Sequence, residues 1–360
     1  MLYKLLYSMH DVFSPFNVFR YITFRTTLAV ITALVLSLMI GPWVIERLKK
    51  ISITQQIRND GPQTHIRKSG TPTMGGIIII FSIIVSMLMW GDLGNMYVWI
   101  MLFALVGYGG IGLIDDYLKV VKKNTKGLRA CYKFGAQIVL ALVIVFLLYK
   151  NPDDPYSSLL IVPFFKKGLI YLGWVYIPFS IIVMIGASNA VNLTDGIDGL
   201  AVGLVSIAVL ANLILVYISG NINFAEYLQV LYLRGTGELT VFCGAMFGAC
   251  LGFLWFNSYP AEIFMGDIGS LGLGGALGTL AVITKHEIVL AVVGGIFVVE
   301  TLSVVFQVLS FRLTGKRIFR MAPIHHHFEL KGWHESKVIV RFWIVGIMLA
   351  LLSLATLKLR

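Results

Sequence analysis

Apolar residues run along this chain in long unbroken blocks, not in the alternation of surface strands or the one-faced stripes of soluble helices. Blocks of about 20 residues, the length that crosses roughly 30 Å of hydrocarbon, fall near 22–45, 73–90, 97–114, 132–149, 169–188, 199–219, 238–256, 263–283, 288–309 and 338–357. They predict an all-α polytopic membrane protein with ten transmembrane helices. Ahead of the first block, Tyr3, Tyr7, Phe13, Phe16 and Phe19 suit a segment lying at the membrane interface. Asp11, Pro15 and the lack of a short apolar core before small residues argue against a cleavable signal. No low-complexity stretch, repeat or soluble domain interrupts the blocks, so residues 1–360 are expected to form a single integral membrane domain.

Composition agrees with that pattern. Hydrophobic residues make up 58% and charged residues 13%, where a soluble domain carries about 25% charged. Of the three cysteines, Cys243 and Cys250 lie within an apolar run and Cys131 stands apart, which suggests neither disulfides nor a CxxC metal site. The formal charge of +11 raises the question of nucleic acid, but its distribution answers it. Nineteen of the 29 basic residues fall in 47–68, 119–133 and 312–341, and alternation of ten spans puts all three loops on one side. By the positive-inside rule that side is the cytoplasm. Both termini are therefore expected in the periplasm, with no nucleic-acid partner.

The same alternation places the polar chemistry inside. Ionisable groups at membrane depth cost about 2.5–3.5 kcal/mol each, yet the inside loops hold Asp115-Asp116, Asn192 to Asp198, Asn257, Asp267 and His325-His326-His327. Asp115 and Asp116 end the third span, facing the negative end of the helix dipole and each other. Either a bound cation or an ion pair with Lys119 would compensate them. Successive helical positions diverge by about 100°, so the two are expected to do different jobs. Asp195, Asp198 and Asp267 sit where spans begin, and a helix N-cap alone would explain one Asp per helix. The run Asn192-Leu-Thr-Asp195-Gly196-Ile-Asp198-Gly offers more polar groups than one cap needs, with glycines that let backbone N–H groups approach a phosphate.

Carboxylates with few histidines suit Mg²⁺, which keeps waters and bridges phosphates, and Asp267 between glycines is the best single ligand candidate. Consecutive histidines cannot all face one ion, so phosphate contact or proton transfer is favoured over zinc for His325–His327. Arg317, Arg320 and Lys331 add positive charge nearby. Lys68 opens the second span and could reach a phosphate or serve only as an orientation charge. Phe264 offers a ring on which a base could stack. Glu300, in the ninth span after Gly295, could satisfy a broken helix or carry protons. A transporter would need paired polar sites at the midplane of two similar halves, which are not seen.

At these residues the chain resembles the polyprenyl-phosphate N-acetylhexosamine-1-phosphate transferase superfamily. The likeness covers essentially the whole chain. It rests on Arg58-Asn-Asp-Gly-Pro, Gly70-Thr-Pro-Thr-Met-Gly-Gly, Gly112-Leu-Ile-Asp115-Asp116-Tyr, Asn189-Ala-Val-Asn192-Leu-Thr-Asp195-Gly-Ile-Asp198-Gly-Leu, Gly252-Phe-Leu-Trp-Phe-Asn257, Phe264-Met-Gly-Asp267-Ile-Gly-Ser and Ala322-Pro-Ile-His325-His326-His327-Phe-Glu. The last of these points to the muramoyl-pentapeptide branch rather than to enzymes that use UDP-N-acetylglucosamine.

The resemblance implies ten spans, frequent dimerisation and a cytoplasmic cleft open to lipid in the bacterial inner membrane. It implies transfer of phospho-MurNAc-pentapeptide from UDP-MurNAc-pentapeptide to undecaprenyl phosphate, releasing UMP, with Mg²⁺ as cofactor. Carried onto this sequence, Asp115, Asp116 and Asp267 are the catalytic aspartates and Asp267 a metal ligand. Lys68, Asn192, Asp195, Gly196, Asp198, Asn257 and Phe264 line the uridine and sugar region. His325, His326 and His327 border the phosphate, and Gln307 approaches the muramoyl-peptide.

Overall fold

A computed structural model describes residues 2–51, 70–120, 127–150, 158–163 and 168–358. After the short α1 (Leu2–Ser8) and a 3-10 turn at Ser14–Arg20 come α2 (Ile22–Lys50), α3 (Gly76–Trp90), α4 (Met96–Val120) and α5 (Ala130–Tyr149). A hairpin of β1 (Leu159–Ile161) and β2 (Leu169–Tyr171) precedes α6 (Tyr176–Thr194) and α7 (Leu200–Ser219). The chain continues with α8 (Ile222–Leu228), α9 (Leu239–Asn257), α10 (Gly266–Thr284), α11 (Glu287–Val293), α12 (Gly295–Thr314), α13 (Ile324–Glu329) and α14 (Glu335–Ala355). Among the described residues, nine helices are long and apolar enough to cross a membrane.

Three expected spans are altered, each for a local reason. The block at 73–90 becomes the 15-residue α3, about 22 Å long at 1.5 Å per residue. Its first residues are drawn into extended pairing with the loop before α10: Gly75 N–H donates to Phe264 O at 2.9 Å, and Phe264 N–H to Pro72 O at 2.8 Å. The block at 169–188 starts with β2, which pairs antiparallel with β1 (Leu159 opposite Tyr171), so its helix begins only at Tyr176. The block at 288–309 is broken at Gly294 into α11 and α12.

α10 is the axis of the molecule, with every residue from Ile268 to Thr284 buried. Its run of glycines lets α4, α6 and α3 pack closely around it. α9 forms a second centre against α2 and α7. α5, α12 and α14 are peripheral and turn bulky apolar side chains outward, among them Phe146, Phe306 and Met348. Those faces match lipid, not water. At the end of the bundle away from the aspartates, Arg25 of α2 makes a two-pronged ion pair with Glu238 (2.6 and 2.8 Å) and donates to Trp90 O at 3.2 Å.

Candidate active site

The opposite end of the bundle gathers the carboxylates. Asp115 and Asp116, both buried, leave the last turns of α4 in different directions. Asp115 Oδ1 accepts the Leu128 N–H at 2.6 Å, while its Oδ2 faces Lys119 Nζ at 2.8 Å and Lys133 Nζ at 3.1 Å. Asp116 turns to α10 and accepts the Ile268 N–H at 3.2 Å. It thereby satisfies one of the orphan donors at that helix N-terminus and meets the positive end of its dipole.

Asp267, in the first turn of α10, completes the group. Its Oδ2 accepts from Lys133 at 2.6 Å and Lys119 at 3.0 Å; its Oδ1 accepts from Asn192 Nδ2 at 2.9 Å. Asn192 also donates to Ser270 Oγ at 2.8 Å, which fixes the amide between α6 and α10. Two glycines make the approach possible. A Cβ on Gly112 would lie 2.6 Å from Ile268 N and nearer still to the Asp267 carbonyl. Gly266 has φ +72°, and a Cβ there would stand 2.6 Å from Asp116 Oδ2.

The turn between α6 and α7 lies beside this cluster. Asp195 caps the C-terminal end of α6, and the N-cap of α7 is Gly199 with φ +75°. Neither Asp195 nor Asp198 is a helix N-cap, so the capping alternative does not account for them. A left-handed residue is required where α7 begins, and glycine takes it without a Cβ clash. Asp198 instead uses Oδ2 to accept the Ala261 N–H at 3.0 Å, and its own N–H donates to Glu335 Oε1 at 3.0 Å. Asp195 sits in a crowded recess with part of its surface open. Desolvation there, then repulsion from Asp267, Asp116 and Asp198, pushes its carboxyl up to about 8.

The three histidines point three ways. His325 is fully buried with Nδ1 3.1 Å from Glu300 Oε1. His326 Nδ1 is 2.7 Å from Glu329 Oε2. His327 Nδ1 accepts the Arg320 N–H at 3.1 Å. Partial burial, then the Lys331 and Arg320 charges, lowers the His327 pKa. Gly196 joins this run to the turn: a Cβ on it would lie 2.9 Å from His325 Cε1 and 3.3 Å from His326 Nε2.

Among the described residues, no three acidic, histidine or cysteine groups converge at metal-ligand distance. The donor set nevertheless fits a hard divalent cation. Asp115, Asp116, Asp195, Asp198 and Asp267 face only two described ammonium groups here, Lys119 and Lys133. Burial first and the neighbouring carboxylates second raise the Asp195 pKa, and oxygen donors that leave room for water and phosphate are what Mg²⁺ takes.

Sequence comparison gives this arrangement its context. Residues 98–285 match the family described as Glycosyl transferase family 4, and residues 68–80 match phospho-N-acetylmuramoyl-pentapeptide-transferase signature 1. The phospho-N-acetylmuramoyl-pentapeptide-transferase of Thermodesulfovibrio yellowstonii is 66% identical over 361 residues, covering all of both chains. Those of Syntrophus aciditrophicus (55%) and Citrifermentans bemidjiense (56%) are likewise covered end to end. The chain belongs to the phospho-N-acetylmuramoyl-pentapeptide-transferase family. It is a phosphoglycosyl transferase and a multi-pass membrane protein.

Not every residue singled out in this transferase's sequence has a free functional group. Asn257 is buried and spent at both ends, with Oδ1 accepting the Gly199 N–H at 3.1 Å and Nδ2 donating to Ile263 O at 2.8 Å. Gln307 is largely engaged as well: Oε1 accepts from Ile318 and Phe319 N–H, and Nε2 uses one of its two N–H donors on Phe319 O at 2.9 Å. Phe264 is half-buried, not fully exposed. Lys68 and the Arg58-Asn-Asp-Gly-Pro motif lie outside the described residues. In sequence Lys133 stands out only as a topology charge, whereas in the structure it bridges Asp115 and Asp267. Its place at the start of α5, on the same end as Asp115-Asp116, was the available signal. The Asp115–Lys119 ion pair considered from sequence is present, with Lys119 also reaching Asp267.

Proposed function

We propose that the carboxylate cluster at the ends of α4, α6 and α10 is the active site for transfer of phospho-MurNAc-pentapeptide from UDP-MurNAc-pentapeptide to undecaprenyl phosphate. The products are lipid I and UMP, the first membrane step of peptidoglycan assembly. The observation that carries the assignment is end-to-end identity of 66% to a transferase of that name, together with Asp115 and Asp267 bridged by two lysines. The site faces the cytoplasm of a bacterial inner membrane, where the basic loops concentrate. Counting α3 as a tenth span returns both termini to the periplasm. The chain acts as one membrane domain, and a homodimer is expected from the family resemblance.

The chemical obstacle is charge, since a lipid phosphate must approach a pyrophosphate. An oxygen of the lipid phosphate attacks the sugar-bearing phosphorus. The bond from that phosphorus to the bridging oxygen breaks, and the electron pair leaves with UMP. A lipid phosphate is already ionised at neutral pH, so direct attack is favoured over a covalent aspartyl intermediate. Asp115 or Asp116 positions or deprotonates it. Asn192 orients Asp267, while Lys119 and Lys133 supply mobile positive charge beside the reacting oxygens. Asp267, with Asp115 and Asp116, would hold Mg²⁺, which when bound neutralises phosphate oxygens and stabilises departing UMP. The Asp195–Asp198 turn and Phe264 border the nucleotide and sugar, and the histidine run borders the phosphates.

Purified protein incubated with both substrates, with and without Mg²⁺, should release UMP only with the metal. Asp267→Asn should abolish release while the protein still inserts and unfolds at its usual temperature. Near-normal turnover by that variant would remove the proposed metal site. Exchange of labelled UMP into the nucleotide sugar without lipid phosphate would favour the covalent route instead.

A further inference from the structure

Gln137 lies roughly 10 Å along α5 at 1.5 Å per residue, inside a span, and has no exposed surface. Among the described residues, the buried face of α5 comprises Gln137, Ala141, Ile144, Val145 and Leu148, so its one polar member is an amide at membrane depth. Its Oε1 accepts from Asn189 Nδ2 of α6 at 2.8 Å. Its Nε2 is buried with no partner among the described residues. A buried donor left unmade costs more than one hydrogen bond between spans returns in a membrane. An apolar side chain would pack here at lower cost, so stability does not account for the amide.

Position does account for it. The rest of the face is aliphatic, and such contacts resist neither rotation nor sliding of one helix on another. A hydrogen bond between spans fixes both, as a single polar residue fixes register in a coiled coil. Asn189 is a firm partner, because its Nδ2 also donates to Ile185 O of its own helix at 2.9 Å. The groups tied together lie one turn nearer the carboxylates on the same helix faces. Lys133 precedes Gln137 by four residues, and Asn192 follows Asn189 by three. Asn192 holds Asp267 Oδ1, while Lys133 Nζ reaches Asp267 Oδ2 at 2.6 Å and Asp115 Oδ2 at 3.1 Å. α6 is thus keyed to Asp267 already, and Gln137 ties α5 to α6. A lysine tip is mobile on its four-carbon stem. It finds one oxygen from many starting points, but it spans two carboxylates only when its Cα stands at the right height and angle.

We propose that Gln137 is a positioning residue for the transfer reaction: its hydrogen bond to Asn189 sets the register of α5 and so holds Lys133 Nζ between Asp115 and Asp267. This rests on the reading that Lys133 acts in the transferase site. Gln137 itself touches no substrate, and its whole effect passes through that ammonium group.

The test is a double-mutant cycle in UMP-release kinetics with Gln137→Met, Lys133→Met and the combination. Gln137→Met keeps the reach of the side chain while removing both its hydrogen bond and its orphan donor. It should lower kcat between about 10- and 100-fold, as a displacement near 1 Å does. KM for the nucleotide sugar should stay near wild type, and the unfolding temperature should equal or exceed it. A structural prop would behave the other way, so a Gln137→Met protein that unfolds early or does not fold overturns the proposal. On the Lys133→Met background, Gln137→Met should cost less than about twofold. Losses that multiply in full overturn the positioning role, as does normal kcat in Gln137→Met beside a crippled Lys133→Met. Normal kcat in Lys133→Met overturns the reading beneath, and the proposal with it.

Discussion

Gly112→Ala adds one methyl group to α4, a turn before Asp115. The new Cβ would stand 2.6 Å from Ile268 N, where ordinary contact begins at 3.4 Å, and the obstructing atoms are backbone. No rotamer change relieves that, so α4 and α10 must separate by at least about 0.8 Å, and displacements near 1 Å can cost about 100-fold in rate. Overpacking costs about 1–3 kcal/mol, while alanine's helix preference returns about 1 kcal/mol. Stability should therefore fall modestly and UMP release by about two orders of magnitude. Gly110 is the internal control, since a Cβ there meets nothing within 4 Å. Gly110→Ala should keep its activity and unfold no earlier than wild type. The assay is initial-rate UMP release in detergent, paired with thermal unfolding. If Gly112→Ala works at a rate within about twofold of wild type, the spacing of Asp115, Asp116 and Asp267 is not set by this backbone contact.

Three further outcomes are expected. Arg25→Met leaves the part-buried Glu238 without its cation and should cost up to about 3 kcal/mol, seen as an earlier unfolding transition that Arg25→Met/Glu238→Leu largely recovers. Lys133→Met removes a cation that both Asp115 and Asp267 share, so turnover should drop sharply without loss of insertion, measured as UMP release from reconstituted protein. With chelator present, Asp195 should make stability fall as pH rises. Its folded pKa of about 8 exceeds the ordinary 3.8, so the folded state holds the extra proton between those values and loses that advantage as pH climbs through 8. Asp195→Asn should flatten that part of a plot of unfolding temperature against pH; an unchanged slope would show that Asp195 is not its source.

Much of the bundle was legible because lipid demands long apolar runs, and those runs are visible without any neighbour. What misled was the assumption that an apolar block is helical from its first residue. Pro72, Gly75 and Gly76 bond to the loop before α10, and Leu169–Tyr171 pairs with Leu159–Ile161, because partners outside each apolar block claim its backbone. The carboxylate cluster was readable where charge is anomalous, at Asp115, Asp116 and Asp267, since such residues need compensation near a membrane. It was unreadable where a polar side chain spends itself on main chain. Asn257 and Gln307 look the same in sequence whether they meet a ligand or a loop. The Asp195–Asp198 turn shows the same limit, because glycine at position 199 decides the helix start through a dihedral angle that composition does not display.

The Gln307 clamp has a consequence for recognition. By taking hold of Ile318 and Phe319, it folds the chain beyond α12 back upon its own helix and turns a long connection into a hook. A hook fastened in advance has little freedom left to surrender when a ligand settles against it. Whatever meets that stretch meets a surface already shaped.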